Sequence, residues 1–118
     1  MKKQSIKSDA SILNKLSHVI QERKASRSPD SYTASLFISG TQKIHDKIAE
    51  ESGELIEASQ QANREGIIHE TADLIFHMMV LLGQWNIAPH EIYSELNRRW
   101  GLSGLAEKQH RTKGAAHD

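Results

Sequence analysis

Apolar residues recur at helical spacing along almost the whole chain, and β-branched alternation is nearly absent. Ile12, Leu13, Leu16, Val19 and Ile20 make the first stripe, with Asp9 placed to cap the helix and Lys24 near its end. ASRSPD follows as a polar linker, and Pro29 disfavours helix at Ser28. SYTASLFISG predicts a short helix from Ser31, stopped by Gly40. Thr41 is placed to cap a long helix to about Arg64, with Ile44, Ile48, Leu55, Ala58 and Ala62 as its stripe. Asn63, Arg64, Glu65 and Gly66 then read as a break. From Ile67 to Asn86 the pattern changes: LIFHMMVLLGQW is hydrophobic on nearly all sides, as in a helix buried centrally, within one subunit or between two. Trp85, Phe76, Met78 and Met79 are therefore expected in the core. Pro89 suits the first turn of a further helix carrying Ile92, Tyr93, Leu96 and Trp100, closed by Gly101. Four main helices with short connections predict an all-α, antiparallel bundle.

At 118 residues this is the size of one domain, 1–118, with 1–8 and 112–118 expected as flexible tails and a short helix expected at Leu105 to Arg111. No cysteine is present, which excludes disulfides and cysteine-based metal sites. No apolar run is judged long enough to span a membrane, and MKKQSIKSDA lacks the apolar core of a signal peptide. The expectation is a soluble cytoplasmic protein that binds no membrane. Fifteen basic residues balance fifteen acidic ones, which argues against a nucleic-acid partner.

The charge pattern changes the picture most in the two central helices. Successive helical residues turn by about 100°, so Lys47, Glu50, Glu51 and Glu54 share one arc at the edge of the apolar stripe. On the next helix Glu70, Asp73 and His77 lie at i, i+3 and i+7. A lone histidine here reads as a hydrogen-bonded core residue, and Glu50 alone as solvated. Asp73 is a poor helix former in a segment with little polar surface. Crowded carboxylates repel, and a buried one must find a counter-charge or a proton. Two pairs, Glu51-x-x-Glu54 and Glu70-x-x-Asp73, on adjacent antiparallel helices can converge on a divalent cation. Glu-x-x-His occurs only at Glu107 and His110, and HExxH is absent, so oxygen ligation favours Mg²⁺, with Mn²⁺ as the alternative.

The spacing of these two pairs resembles the signature of the all-α, MazG-like nucleoside triphosphate pyrophosphohydrolases. LNKLSHVIQERK, SYTASLFISG, KIHDKIAEESGELIEA, HETADLIFHMMVLL and RRWGLSGLAEKQHR together resemble one family within them, the phosphoribosyl-ATP pyrophosphohydrolases of histidine biosynthesis. The resemblance runs from about Leu13 to Arg111; Trp100 stands where a different apolar or aromatic residue is expected. It implies hydrolysis of phosphoribosyl-ATP between its α and β phosphates, a nucleotide as small-molecule partner, and a homodimer. It also implies metal binding by Glu51, Glu54, Glu70 and Asp73. Glu50 or Glu51 is the expected general base, between which the sequence does not choose.

Lys47 and Lys43 can contact phosphate or simply neutralise the acidic face. Arg98, Arg99, Lys108 and Arg111 form a basic cluster that either favours a helix C-terminus or binds phosphate. The resemblance singles out Arg99, Ser103 and Lys108 for substrate binding. Tyr32 and Thr33 either line the nucleotide site or cap and pack. Two rival readings stand beside this one: a house-cleaning pyrophosphohydrolase acting on a deoxynucleotide such as dCTP, and a non-catalytic helical dimerisation module.

Overall fold

The protein's computed structural model describes residues 8–101. The regular structure in that span is helical: α1 (Ser11–Ser26), α2 (Tyr32–Ser39), α3 (Thr41–Gln60), α4 (Arg64–Gln84) and α5 (Pro89–Trp100). These are the four main helices and the short one that the apolar spacing predicts. Ser103, Lys108, and the helix expected at 105–111 lie outside the described residues. The chain divides into two compact units between Ile87 and Ala88, with α1 to α4 in the first and α5 in the second.

Local chemistry sets the helix ends. Asp9 Oδ1 accepts the Ser11 N–H at 2.9 Å and the Ser11 hydroxyl as well. Those bonds favour the ionised form and hold the Asp9 carboxyl below its usual pKa. α1 runs past Lys24 to Ser26, where Arg27, at φ 52°, closes it with an N–H bond to the Arg23 carbonyl. Ser31 Oγ accepts the Ala34 N–H at 3.1 Å and starts α2; Gly40, at φ 101°, stops it.

Three predicted boundaries move. Thr41 does not cap α3: it is already helical, and its hydroxyl accepts from Gln84 Nε2 of α4 at 2.8 Å. α3 ends at Gln60 rather than Arg64, because Ala62 takes a left-handed φ of 53° and the Asn63 N–H turns back to the Ala58 carbonyl at 2.9 Å. Asn63 Oδ1 then accepts the Gly66 N–H at 3.0 Å, so α4 starts at Arg64 and Gly66 sits inside its first turn, not in a break.

The connection Gln61-Ala62-Asn63 makes α3 and α4 an antiparallel hairpin, and this pair has the most extensive contact in the first unit. α1 packs on α4 and α2, and α2 on α3. The core is Ile20, Leu36, Phe37, Ile44, Met79 and Val80, with Leu13, Leu16, Ile48, Phe76, Leu81 and Leu82 against it. Each fully buried side chain such as Ile44 or Val80 contributes about 1.5–3 kcal/mol. Lys24 ties α1 to the end of α4, donating to the Gly83 carbonyl and to Asn86 Oδ1, both at 2.9 Å. This places a cation where the helix dipole is negative.

α4 departs most from expectation. It is not covered all round: Met79 is buried and Phe76 partly so, but Met78 is 44% and Trp85 69% exposed, so these two are not core. α4 packs its His77, Met79, Val80 and Gly83 side inward and leaves Ile68, Ile75, Met78 and Trp85 outside. A further correction concerns length. α4 is 21 residues long, and an 18-residue window of it, at a mean hydropathy of 1.3, is apolar enough to cross a membrane, whereas no such run is expected above. A core helix meets the same criterion, and the polar side chains of this one, Glu70 and His77, engage α3.

Candidate active site

The acidic groups gather on the α3–α4 hairpin. Ile44, Glu51 and Ala58 are the buried residues of α3, seven apart, so Glu51 occupies a core-facing position between two apolar ones. It is 5% exposed. A carboxylate there costs several kcal/mol unless it is compensated. Its neighbour is His77 of α4, itself 4% exposed, whose Nδ1 lies 2.6 Å from Glu51 Oε1.

His77 is held at both ring nitrogens. Nδ1 is 2.9 Å from the Asp73 carbonyl, one helical turn back, and Nε2 is 2.9 Å from the Tyr32 hydroxyl on α2. The ring edge packs on Phe76 at 4.9 Å and on Tyr32 at 5.9 Å between centroids. Because the Nδ1 N–H is directed at the Asp73 carbonyl, Glu51 Oε1 stays close to Nδ1 yet makes no well-aligned hydrogen bond.

Lys47, Glu51, Asp73 and Glu50 lie within electrostatic reach of the Tyr32 hydroxyl. Partial burial raises the Tyr32 pKa; the Lys47 ammonium works against this, and the three carboxylates add to it. Lys47 Nζ is 3.4 Å from Glu50 Oε1. Desolvation opposes the Lys47 charge, but Tyr32, Glu50 and Glu51 outweigh it and the pKa is raised. Asp73 is not enclosed as expected: its side chain is 43% exposed and sits 3.4 Å from His69.

Glu54 and Glu70 face each other across the hairpin. Partial desolvation, then the hydrogen bond and like charge of Glu70, raise the Glu54 pKa. Glu70 Oε1 is buried with no hydrogen-bond partner among the described residues. Beside this pair is an open cleft of about 370 Å³, lined by Glu54, Glu57, Gln61, Asn63 and Glu70 among others.

Of the sequence-predicted residues, the structure thus puts Lys47, Glu50, Glu51 and Asp73 within electrostatic reach of Tyr32, pairs Lys47 with Glu50, and brings Glu54 to Glu70. It does not gather three carboxylate or imidazole groups at one point at metal-binding distance among the described residues. The donor set nevertheless fits a hard cation. Two acceptor atoms, Glu51 Oε1 and Glu70 Oε1, are buried without a directed donor, and one like-charged pair is pressed together. Arg99, in the second unit, gives its Nε to Glu95 at 2.6 Å and lies 5.4 Å from the Trp100 ring centre. Sequence reasoning gave His77 a core role and missed its contact with Glu51. The available signal was that His77 shares a helix face with Glu70 and Asp73.

The all-α architecture and the acidic helix pair agree with the MazG-like class of nucleotide pyrophosphohydrolases. Within that class, the phosphoribosyl-ATP pyrophosphohydrolase family profile matches residues 13–100. Proteins called phosphoribosyl-ATP pyrophosphatase are similar over most of their length. The Geotalea daltonii protein is 53% identical over 102 residues, covering 86% of this chain and 96% of the relative. That of Geobacter metallireducens is 51% identical, covering 86% and 94%. A Neisseria meningitidis protein is 42% identical over 103 residues, covering 87% and 96%. The chain belongs to the phosphoribosyl-ATP pyrophosphohydrolase family, and it is a hydrolase.

Proposed function

We propose that the chain hydrolyses phosphoribosyl-ATP at the α–β phosphoanhydride, giving phosphoribosyl-AMP and pyrophosphate, the second step of histidine biosynthesis, in a magnesium-dependent reaction. Family membership over residues 13–100 carries the substrate. The acidic hairpin supports the metal requirement, since a triphosphate would not approach Glu51, Glu54, Glu70 and Asp73 without a cation between. Bound Mg²⁺ would neutralise phosphate oxygens and make phosphorus attackable.

This chain's residues divide the remaining work. Glu51, Glu54, Glu70 and Asp73 are the ligands. Glu50 is 54% exposed at its side chain, open to water and one residue from Glu51, so it is the group that takes the proton from the attacking water. Lys47, 3.4 Å from Glu50, offers its ammonium to a phosphate oxygen. Arg99, with Ser103 and Lys108, recognises the ribosyl phosphate end. The exposed α4 residues Ile68, Ile75, Met78 and Trp85, spaced seven, three and seven apart, support a homodimer joined through that face. We place the enzyme in the cytoplasm, with no membrane or nucleic-acid partner.

The deciding experiment is incubation with phosphoribosyl-ATP and Mg²⁺. Equimolar pyrophosphate and phosphoribosyl-AMP are expected, with no turnover in EDTA. Release of single phosphate, or equal turnover of dCTP, would overturn the assignment.

A further inference from the structure

We propose that His77 and Tyr32 are positioning residues for Glu51: the Tyr32 hydroxyl donates to His77 Nε2, which keeps the His77 proton on Nδ1, and the positive Nδ1–H edge, anchored on the Asp73 carbonyl, sets where the Glu51 carboxylate lies on the hairpin. Three observations carry this. First, His77 Nδ1 faces two oxygens, the Asp73 carbonyl at 2.9 Å and Glu51 Oε1 at 2.6 Å. A carbonyl only accepts, so Nδ1 carries hydrogen. Second, Nε2 is 2.9 Å from a hydroxyl that can donate to it. A ring whose other nitrogen is engaged keeps one tautomer and one orientation. Third, His77 and Glu51 are each about 95% buried, so neither can be oriented by bulk water.

The arrangement puts the charge of Glu51 under the control of a residue on another helix. Glu51 stands in the buried line of α3 with Ile44 and Ala58, and the Nδ1 edge of His77 on α4 meets its Oε1 at 2.6 Å. Without that contact nothing polar on α4 would hold the buried carboxylate, and it would swing out of the core and lose its aim as a ligand. Outer-shell partners that orient a metal ligand are worth about 10–100-fold in metal affinity or activity. Tyr32 adds control from α2. Its ring is half exposed and its hydroxyl, bonded to His77, is within electrostatic reach of Lys47, Glu50 and Asp73, so its setting changes when those charges are engaged.

The inference rests on the function proposed above only in its kinetic arm, and the other two arms need no substrate. In the metal-free protein, nitrogen-15 spectra should show His77 protonated at Nδ1 in the wild type. In Tyr32→Phe, which keeps the ring and removes one oxygen, they should show a mixture of tautomers or a mobile ring. Mn²⁺ affinity, followed by electron paramagnetic resonance, should fall about 10-fold or more in His77→Gln and less in His77→Asn, whose amide can stand at the Nδ1 position. With phosphoribosyl-ATP, Tyr32→Phe should lower kcat several-fold with little change in KM. A wild-type His77 without hydrogen on Nδ1 would overturn the proposal. So would unchanged Mn²⁺ affinity in a folded His77→Gln, or a Tyr32→Phe effect confined to KM. A wild type that binds Mn²⁺ and shows the expected tautomer but does not hydrolyse phosphoribosyl-ATP would instead sink the function and leave this inference standing.

Discussion

Glu54 of α3 and Glu70 of α4 meet carboxyl to carboxyl across the hairpin, and the Glu54 pKa is raised by partial desolvation and by Glu70. Between the ordinary carboxylate pKa and this raised one, the folded state holds a proton that the unfolded chain has released. Stability therefore falls as pH rises through that window. Glu54→Gln removes the effect. In EDTA at pH 7 the variant should melt above the wild type, and its melting temperature should vary less between pH 4 and 7. Saturating Mg²⁺ should reverse the order, because only the wild type gains a full ligand set. Melts over this pH range, with and without metal, check both halves.

Ligand and base are expected to separate kinetically. Asp73→Asn and Glu51→Gln should lower kcat/KM at least about 100-fold, as several kcal/mol of charge stabilisation is lost, and should also weaken Mn²⁺ binding. Glu50→Gln should lower kcat by at least about tenfold while Mn²⁺ affinity stays within about twofold. Near-normal turnover in Asp73→Asn would remove it from the site. A Glu50→Gln variant with normal kcat would move proton transfer to another group.

At Gly83 α1 packs closely on α4. A Cβ there would stand 2.8 Å from Cγ2 of Ile20, a side chain 1% exposed and branched at β. Gly83→Ala gains about 1 kcal/mol of helix propensity but overpacks at a cost of about 1–3 kcal/mol. A net loss of about 1 kcal/mol is expected, which lowers the melting temperature by about 4–8 °C in a domain this size. A rise on calorimetry would show that Ile20 can yield.

Glu95 of α5 binds Arg98 at 2.6 Å and Arg99 at 2.6 Å. The hydrogen bond from Arg98, then that from Arg99, bring its pKa down to about 2. A depressed carboxyl stabilises the fold above its ordinary pKa, and this is lost as pH falls from about 4.5 toward 2. The side chain is substantially exposed, so the effect on stability is small. A carbon-13 titration of the Glu95 carboxyl should give a midpoint near 2 in the wild type and near the ordinary value in Arg98→Gln/Arg99→Gln.

Met78→Lys places a charge in the middle of the exposed α4 face. If that face joins two copies, the variant should be monomeric by sedimentation equilibrium where the wild type is dimeric. A wild-type monomer would leave the α4 stripe to some other role.

The helices were legible because apolar spacing and end signals agreed in most of them: Ser31 and Gly40 bound α2, and Pro89 and Gly101 bound α5. The end of α3 was not, since alanine has no preference for the left-handed φ that Ala62 adopts. The burial of Glu51 was in reach, because it falls in line with Ile44 and Ala58. Its partner was not: His77 is on another helix, and only packing shows that the two lines meet. Asp73 and Trp85 show the opposite error. A helix apolar all round predicts cover on every side, but one flank of α4 lacks a neighbour within the first unit, and both side chains remain open to water. The pairing of Glu54 with Glu70 rather than a four-way convergence also depends on side-chain directions that spacing alone does not supply.

The three-residue joint Gln61-Ala62-Asn63 leaves no slack between the acidic helices. One inserted residue that extended α4 would rotate everything beyond it by about 100°. His77 would then turn away from Glu51, and the opposing glutamates would lose their register. Drift in chain length should thus be tolerated at the α1–α2 linker and forbidden here, where a single added codon would disarm the protein without unfolding it.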